Sequence, residues 1–347
     1  MIRDLIKLVK GKQVFIATHW DADGITSGAM LYHSIKHHAK TIRTLSKGKV
    51  FRIDGSDVPK GTDIVMCADV QPADTIAQPV IYFDHHPYDN NGLKGLKQSF
   101  VLKAYDTSYQ SSSYLVWDKV LEQTEEPYMT FLALLGFFGD AGKNTEIPPK
   151  LEAVALKSFP ELMEPHVWPD GKMCLAIEKY VSFINLGKRM HWQGTVPFEL
   201  LKGIESYEQF VNQEHPLFKE LEQYKKELRY LYAMGVTIKP YGAIDCIMIE
   251  CPRNIQGVLC ARHMDGKPIL VLNKYDAEHV MGSLRVPDDV AFDAGAFLQR
   301  FMGKIDGLLG GGHEKAGGIS FPAQEFARFV ALLNKEAQQV PTTIHSP

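Results

Sequence analysis

The spacing of polar and apolar positions changes several times along the chain and divides it into two halves. In the first half, short apolar runs alternate with segments of helical period. The runs VFIA (14–17), IVMC (64–67) and VIYF (80–83) are brief, rich in β-branched and aromatic residues, and bounded by turn-forming residues, which predicts buried strands. Helical spacing over 28–38, 111–121 and 128–138 predicts helices between and after them. Unbroken apolar strands alternating with helices point to an α/β domain with a mainly parallel sheet flanked by helices.

A further helix is expected over 173–185. From Ser206 to Met234 the chain is charged, keeps apolar residues at helical spacing and has no internal glycine, which predicts one long linker helix. After Gly235 the pattern turns back to strands: AIDCIMIE (243–250), PILVLNKY (268–275) and HVMGSLRV (279–286). A helix over 292–302, the glycine cluster GLLGGGHEKAGG (307–318), and a last strand and helix within 319–337 complete a smaller α/β domain with a mixed sheet. The expected organisation is a domain over 1–200, a linker helix over 201–234, a second domain over 235–337 and a frayed tail over 338–347.

Composition narrows the functional classes. No apolar run approaches the roughly 18 residues that span a bilayer. The opening MIRDLIKLVKGKQ alternates charged and apolar residues like an amphipathic helix and lacks the apolar core of a signal peptide, so a cytoplasmic protein without membrane partners is expected. The cysteines Cys67, Cys174, Cys246, Cys251 and Cys260 are odd in number and form no CxxC pair, which fits buried reduced thiols; a zinc site from the last three would be poorly spaced. A net charge of −3 argues against a surface that coats long nucleic acid and favours a small or locally held substrate.

Each predicted strand of the first half ends in metal-liking residues. After VFIA comes THWDADG with His19, Asp21 and Asp23; after IVMC comes Asp69; after VIYF come Asp84, His85 and His86. A fourth acid, Asp140, ends the apolar stretch FLALLGFFGD. Singly these are ordinary: Asp-x-Asp-Gly is commonly a turn, a strand-end Asp a helix cap, and a His-His pair such as His37 and His38 a surface feature. Three strand ends with the same ligand chemistry are not ordinary, because parallel strands bring their carboxyl ends to one crevice. So many carboxylates stay ionised together only with cations among them, and oxygen and nitrogen donors without thiolate suit Mn²⁺ or Mg²⁺, in a number sufficient for two ions.

HWDADGITSG, the Asp69 strand end, the DHH triplet at 84–86 and Asp140 resemble the four motifs of the DHH phosphoesterase superfamily. SLRV at 283–286 followed by GGGHEKAGG at 310–318 resembles its DHHA1 substrate-binding domain. The first motif is similar to that of RecJ-type and archaeal members, whereas the compact length and the SxR…GGGH arrangement are similar to the nanoRNase branch. The resemblance implies that His19, Asp21 and Asp69 hold one metal ion and that Asp23, Asp69, His85 and Asp140 hold a second, with Asp69 bridging and a water between the ions as nucleophile. It further implies that Asp84 orients a histidine, that His86 contacts the substrate phosphate, and that Ser283, Arg285, Gly310, Gly311, Gly312 and His313 bind substrate, the glycines as a loop whose N–H groups approach an anion.

The function so implied is a two-metal phosphodiesterase or exonuclease, Mn²⁺-dependent before Mg²⁺, that releases nucleoside monophosphates from short or single-stranded nucleic acid held between the two domains. Cyclic dinucleotides, 3′-phosphoadenosine phosphate and polyphosphate are the alternative substrates, and a non-catalytic scaffold the alternative class. A homodimer is compatible with the sequence. Phe292, Phe297 and Phe301 could stack on bases near the glycine cluster, but their helical spacing marks them as core.

Overall fold

The computed structural model describes residues 1–48, 52–86, 100–140, 145–168, 171 and 173–339. The chain divides into two compact units, 1–225 and 226–347.

The first unit is built on a five-stranded sheet of β1 (Gln13–Thr18), β2 (Thr41–Ser46), β3 (Ile64–Ala68), β4 (Val80–Asp84) and β5 (Phe100–Tyr105), in the order β2-β1-β3-β4-β5. Every neighbouring pair is parallel. β3 and β4 are buried along their whole length, as their unbroken apolar runs require. The order reverses between β1 and β3, and in open parallel sheets the crevice at that switch point is where ligands bind.

Helices close over the sheet. α1 (Ala22–Ile35) follows β1 directly, capped by the Asp21 carboxylate, which accepts the Gly24 N–H. The short α2 (Ser112–Leu115), capped by Ser111, leads into a wider turn over 116–120. α3 (Pro127–Asp140) packs on α1, with Phe131 to Leu135 wholly buried. The approach is close because Gly136 has no side chain: a Cβ there would lie 2.2 Å from Thr26 Oγ1 and 2.4 Å from Ser113 Oγ. The expected opening helix is present at Ile2–Val9 and buries Leu5 and Val9.

Two segments depart from the sequence expectation. The segment expected as one helix over 173–185 opens as a strand, Met173–Leu175, paired with Pro165–Val167, and turns helical only at Ile177–Ile184. The long helix expected from Ser206 to Met234 is two, Tyr207–Val211 and Leu217–Tyr232. Gln213 takes a left-handed φ of 55°, and Pro216 supplies no N–H and disfavours helix before it, so the helical ladder stops between them. The division between the two units falls inside Leu217–Tyr232.

The second unit carries a six-stranded mixed sheet: β6 (Ile238–Tyr241), β7 (Ile244–Ile249), β8 (Ile269–Lys274), β9 (His279–Arg285), β10 (Leu309–Gly312) and β11 (Ala316–Pro322), in the order β6-β7-β8-β9-β11-β10. Only β7 and β8 run parallel. α4 (Gln256–His263) lies against β8 and β9, while α5 (Ala294–Gln299) and α6 (Phe326–Gln338) complete the unit. Phe292, Phe297 and Phe301 are buried with Leu284, Phe321 and Phe329 in its core. The α/β class with a parallel first sheet and a mixed second one is thus the one expected. No helix among the described residues is long and apolar enough to cross a membrane.

Candidate metal centre

The loop between β1 and α1 places His19, Asp21 and Asp23 at the switch point. Gly24, in the first turn of α1, lets the His19 backbone come close, since a Cβ would lie 2.6 Å from the His19 carbonyl oxygen. Asp69 follows β3 in a left-handed conformation, φ 61°, that Asp tolerates better than most residues and that is common where geometry is constrained by function. Its N–H donates to the Phe83 carbonyl at 2.9 Å, which ties it to β4. β4 ends in Asp84 and delivers His85 and His86; α3 delivers Asp140 at its last residue.

These side chains converge. Ligand atoms of His19, Asp21 and Asp69 lie within 4.8 Å of one another, as do those of Asp23, His85 and Asp140, and those of Asp69, His85 and His86. Asp69 belongs to both sides of the cluster. Its Oδ2 lies 3.6 Å from His19 Nδ1, and its Oδ1 lies 3.7 Å from His85 Nε2 and 3.5 Å from His86 Nδ1. His19 Nδ1 also meets Asp21 Oδ2 at 2.8 Å, and His85 Nε2 meets Asp140 Oδ2 at 3.1 Å and Asp23 Oδ2 at 3.8 Å.

The crowding shows in the protonation equilibria. Burial and the Asp140 charge push the Asp23 carboxyl up to about 6. Burial and the charges of Asp23, Asp21, Asp84 and Asp140 raise Asp69 well above the usual carboxylate range. Burial opposes protonation of His85, but a hydrogen bond to Asp140 and the Asp23 and Asp69 charges outweigh it and push the imidazole up to about 10. Burial likewise opposes ionisation of Asp21, yet His19 and Lys188 hold its carboxyl far below the usual range. Carboxyls raised in this way by one another are ones that added positive charge would relieve.

The surrounding groups fix the donors in place. Asp84 is fully buried and accepts from Tyr82 Oη at 2.7 Å, from the His85 and His86 N–H groups at 2.7 and 3.0 Å, and from His86 Nδ1 at 2.9 Å. The carbonyl of Tyr109 accepts from His85 Nδ1 at 3.1 Å, which directs Nε2 at the carboxylates. Asp23 accepts the Ser112 and Ser113 N–H groups at the start of α2, at 2.7 and 2.8 Å, and Asp69 accepts from Ser112 Oγ at 2.9 Å. In the metal-free fold a proton on His85 Nε2 answers these carboxylates, and a cation bound among them would take the place of that proton and leave the nitrogen as a ligand. The residues therefore fit divalent metal ions with oxygen and nitrogen ligands.

Sequence reasoning missed the partners that come from farther along the chain. Asn185 Oδ1 accepts the Ala22 N–H at 3.1 Å, anchoring the start of α1. Lys188 Nζ stands 3.7 Å from Asp21 Oδ2, its charged form disfavoured by burial despite the acids around it. Of the missed groups only the serine run 111–113 carries a sequence signal, that of a helix start.

In the second unit, register places Arg285 opposite Ala316, and the Ala316 carbonyl accepts the His313 N–H at 2.8 Å, so Arg285 and His313 flank one strand end. Ser283 is buried on the same strand, two residues from Arg285. The glycines expected as an anion-binding loop are instead strand residues: Gly310, Gly311 and Gly312 pair with Ile319, Gly318 and Gly317. β10 is an edge strand of the sheet, so one side of its backbone pairs with β11 and successive amides point alternately toward and away from that partner. At Gly310 close packing requires glycine, since a Cβ there would lie 2.6 Å from Ile319 Cγ2, whereas a Cβ on Gly311 would meet nothing within 4 Å.

Residues 254–339 match the family model of the DHHA1 domain. No curated protein matches the sequence. Among solved structures, RecJ from Thermus thermophilus in complex with Mn²⁺ is similar over 99% of this chain and 55% of its own, with 17% identity and a TM-score of 0.68. The same protein is also solved with Mg²⁺. An exonuclease RecJ bound to manganese is similar over 98% of this chain and 95% of its own, at 16% identity and a TM-score of 0.59. A DHH domain described as belonging to a family of ribosomal proteins is similar over 98% and 89%, at 15% identity and a TM-score of 0.62. The chain spans about half the length of the Thermus RecJ, and at these identities the likeness is one of fold.

Proposed function

We propose that this protein, a DHH-superfamily chain with a C-terminal DHHA1 domain, is a two-metal phosphodiesterase that releases nucleoside monophosphates from short or single-stranded nucleic acid. One observation carries the reading: Asp69 turns one carboxylate oxygen to His19 and the other to His85 and His86, the arrangement of a carboxylate shared by two cations. His19, Asp21 and Asp69 would hold one ion, and Asp23, Asp69, His85 and Asp140 the other. Mn²⁺ is the first choice and Mg²⁺ the second, the ions with which the RecJ structures were solved.

When bound, the pair of cations supplies an activated water and neutralises the charge that builds on the phosphoryl group. The remaining work falls to the chain. Asp84 fixes the His86 ring beside Asp69, where it would meet a phosphoryl oxygen. Lys188 adds a positive charge on the Asp21 side. Arg285 would take a second phosphate with its planar fork, beside Ser283 and His313.

The test is a substrate panel on chelator-treated protein resupplied with Mn²⁺ or Mg²⁺: dinucleotides, end-labelled DNA and RNA oligomers, cyclic dinucleotides, 3′-phosphoadenosine phosphate and polyphosphate. Release of monophosphates from linear oligomers, dependent on metal, is expected. Turnover of polyphosphate alone would overturn the nucleic-acid reading, and no turnover of any member would leave a scaffold.

The two units predict separable defects. Arg285→Ala removes a charge-assisted hydrogen bond worth about 1.5–3 kcal/mol, so kcat/KM on the natural substrate should fall roughly ten- to hundredfold, mainly through KM. Bound Mn²⁺, counted after gel filtration, should stay at the parent level. Equal losses on the natural substrate and on a small artificial diester would place Arg285 in the cutting site instead.

A further inference from the structure

A single short segment forms one edge of the metal centre. The Tyr109 carbonyl holds His85, and the Ser112 and Ser113 N–H groups hold Asp23. Residues of that same segment line a separate hollow of about 500 Å³. Ser108, Tyr109, Gln110 and Tyr114 line one side of it, and residues 146–149, which include Glu146 and two prolines, line the other. Tyr109 thus holds the metal centre with its carbonyl and also lines the hollow.

The lining has a definite chemistry. The Tyr109 and Tyr114 rings form a tilted pair with centroids 5.2 Å apart. Tyr114 leans on the fully buried Trp117, at 6.3 Å and 29°, so its ring is backed by the core. The Tyr109 hydroxyl is bonded to Asp118, and Lys119, which lies over the Tyr109 ring, is paired with the same carboxylate at 3.4 Å. Among the described lining residues there is no lysine or arginine, whereas Glu146 and Gln110 offer hydrogen-bond acceptors. A neutral, flat heterocycle with N–H donors at its edge suits such a surface, stacking on the tyrosines and donating to Glu146 or Gln110.

We propose that this hollow holds a nucleobase of the substrate, the one attached to the phosphodiester at the metal centre. The inference rests on the nucleic-acid reading above and sharpens it: the first unit grips a base as well as a phosphate. The hollow, at about 500 Å³ and open to solvent, has room for one nucleoside.

The experiment compares dinucleoside monophosphates with analogues abasic at one position or the other, in Mn²⁺, by kcat/KM. The parent should prefer the base-bearing substrate at one of the two positions by about five- to a hundredfold, the range of one base–aromatic stack. Tyr114→Phe should keep that preference and Tyr114→Leu should lose it. Gln110→Trp, which fills the hollow from an exposed position, should lose it as well and covers the case in which Tyr114→Leu does not fold. Equal kcat/KM for base-bearing and abasic substrates in the parent would overturn the proposal, as would a preference that survives in Gln110→Trp. A parent that cleaves no diester sinks the enzymatic reading but still decides the hollow. Titration with adenosine or uridine should then show saturable binding that Gln110→Trp abolishes, and absence of nucleoside binding to the parent refutes the base site.

Discussion

Asp69→Asn should abolish turnover at saturating substrate, by more than about a hundredfold, while the fold survives. The loss follows from the place of this carboxylate between His19 and the His85–His86 pair, where, on the proposed assignment, it would serve both ions. Removing one preorganised electrostatic element from an active site typically costs about 10²–10³ in rate. Asparagine is the informative replacement because it tolerates the left-handed φ of 61° and keeps an acceptor for the Ser112 hydroxyl. It also removes one charge from a crowded set of acids without straining the backbone, so the metal-free variant should melt no lower than the metal-free parent. Bound Mn²⁺ should drop from two per chain to one or none. Near-parent activity in Asp69→Asn would sink the shared-carboxylate assignment. Asp69→Val, by contrast, should lose both activity and stability, since a β-branched residue is strained at that φ.

The second expected result is a large stabilisation by Mn²⁺ that grows with pH. In the metal-free fold, Asp23 is pushed up to about 6 and His85 to about 10. Both folded-state values exceed the ordinary 3.8 and 6.5, so the folded state holds these protons at higher pH than the unfolded chain does. Their contribution to stability is complete below the unfolded values. Asp23's is lost as pH rises from 3.8 through about 6, and His85's as it rises from 6.5 through about 10. For Asp23 the change is on the order of 3 kcal/mol. Metal ligands bind in their deprotonated forms, so cation affinity rises over the same interval, and each site adds about 2.7 kcal/mol at a hundred times its dissociation constant. Thermal melting with Mn²⁺ or chelator at pH 5 and pH 8 reads the difference directly. The metal-induced shift should be several degrees larger at pH 8, and the acid limb of activity should move to lower pH as Mn²⁺ is raised. A shift of equal size at both pH values would mean that the ion binds elsewhere.

What the sequence displayed of this centre was what the chain carries locally. An apolar run followed at once by His, Asp or a His pair is visible without knowing what packs on what, and parallel-sheet geometry then implies convergence. Asp140 was visible because it ends an apolar stretch. The supporting groups were not: Tyr109 and Ser112 act through a carbonyl and an N–H that any residue possesses, and Asn185 and Lys188 arrive from the far side of the unit with no local pattern. The expected linker helix failed where charge patterning ran on across a break, although Pro216 was there to read. The glycine run misled because glycine is depleted from strands. Here Gly310 and Gly312 lie too close to β11 for a Cβ, so proximity outweighs strand propensity at those two positions.

The sheet order also fixes when chemistry can begin. The ligand candidates come from the turn after β1, the ends of β3 and β4, and the last residue of α3, so no stretch shorter than 19–140 contains them all. None of the three-residue clusters is formed by one local segment. A partly built chain is therefore chemically inert. During refolding from denaturant in Mn²⁺, hydrolysis should appear together with the last tertiary signal of the first unit and never ahead of it; activity in a truncated chain ending before α3 would contradict this.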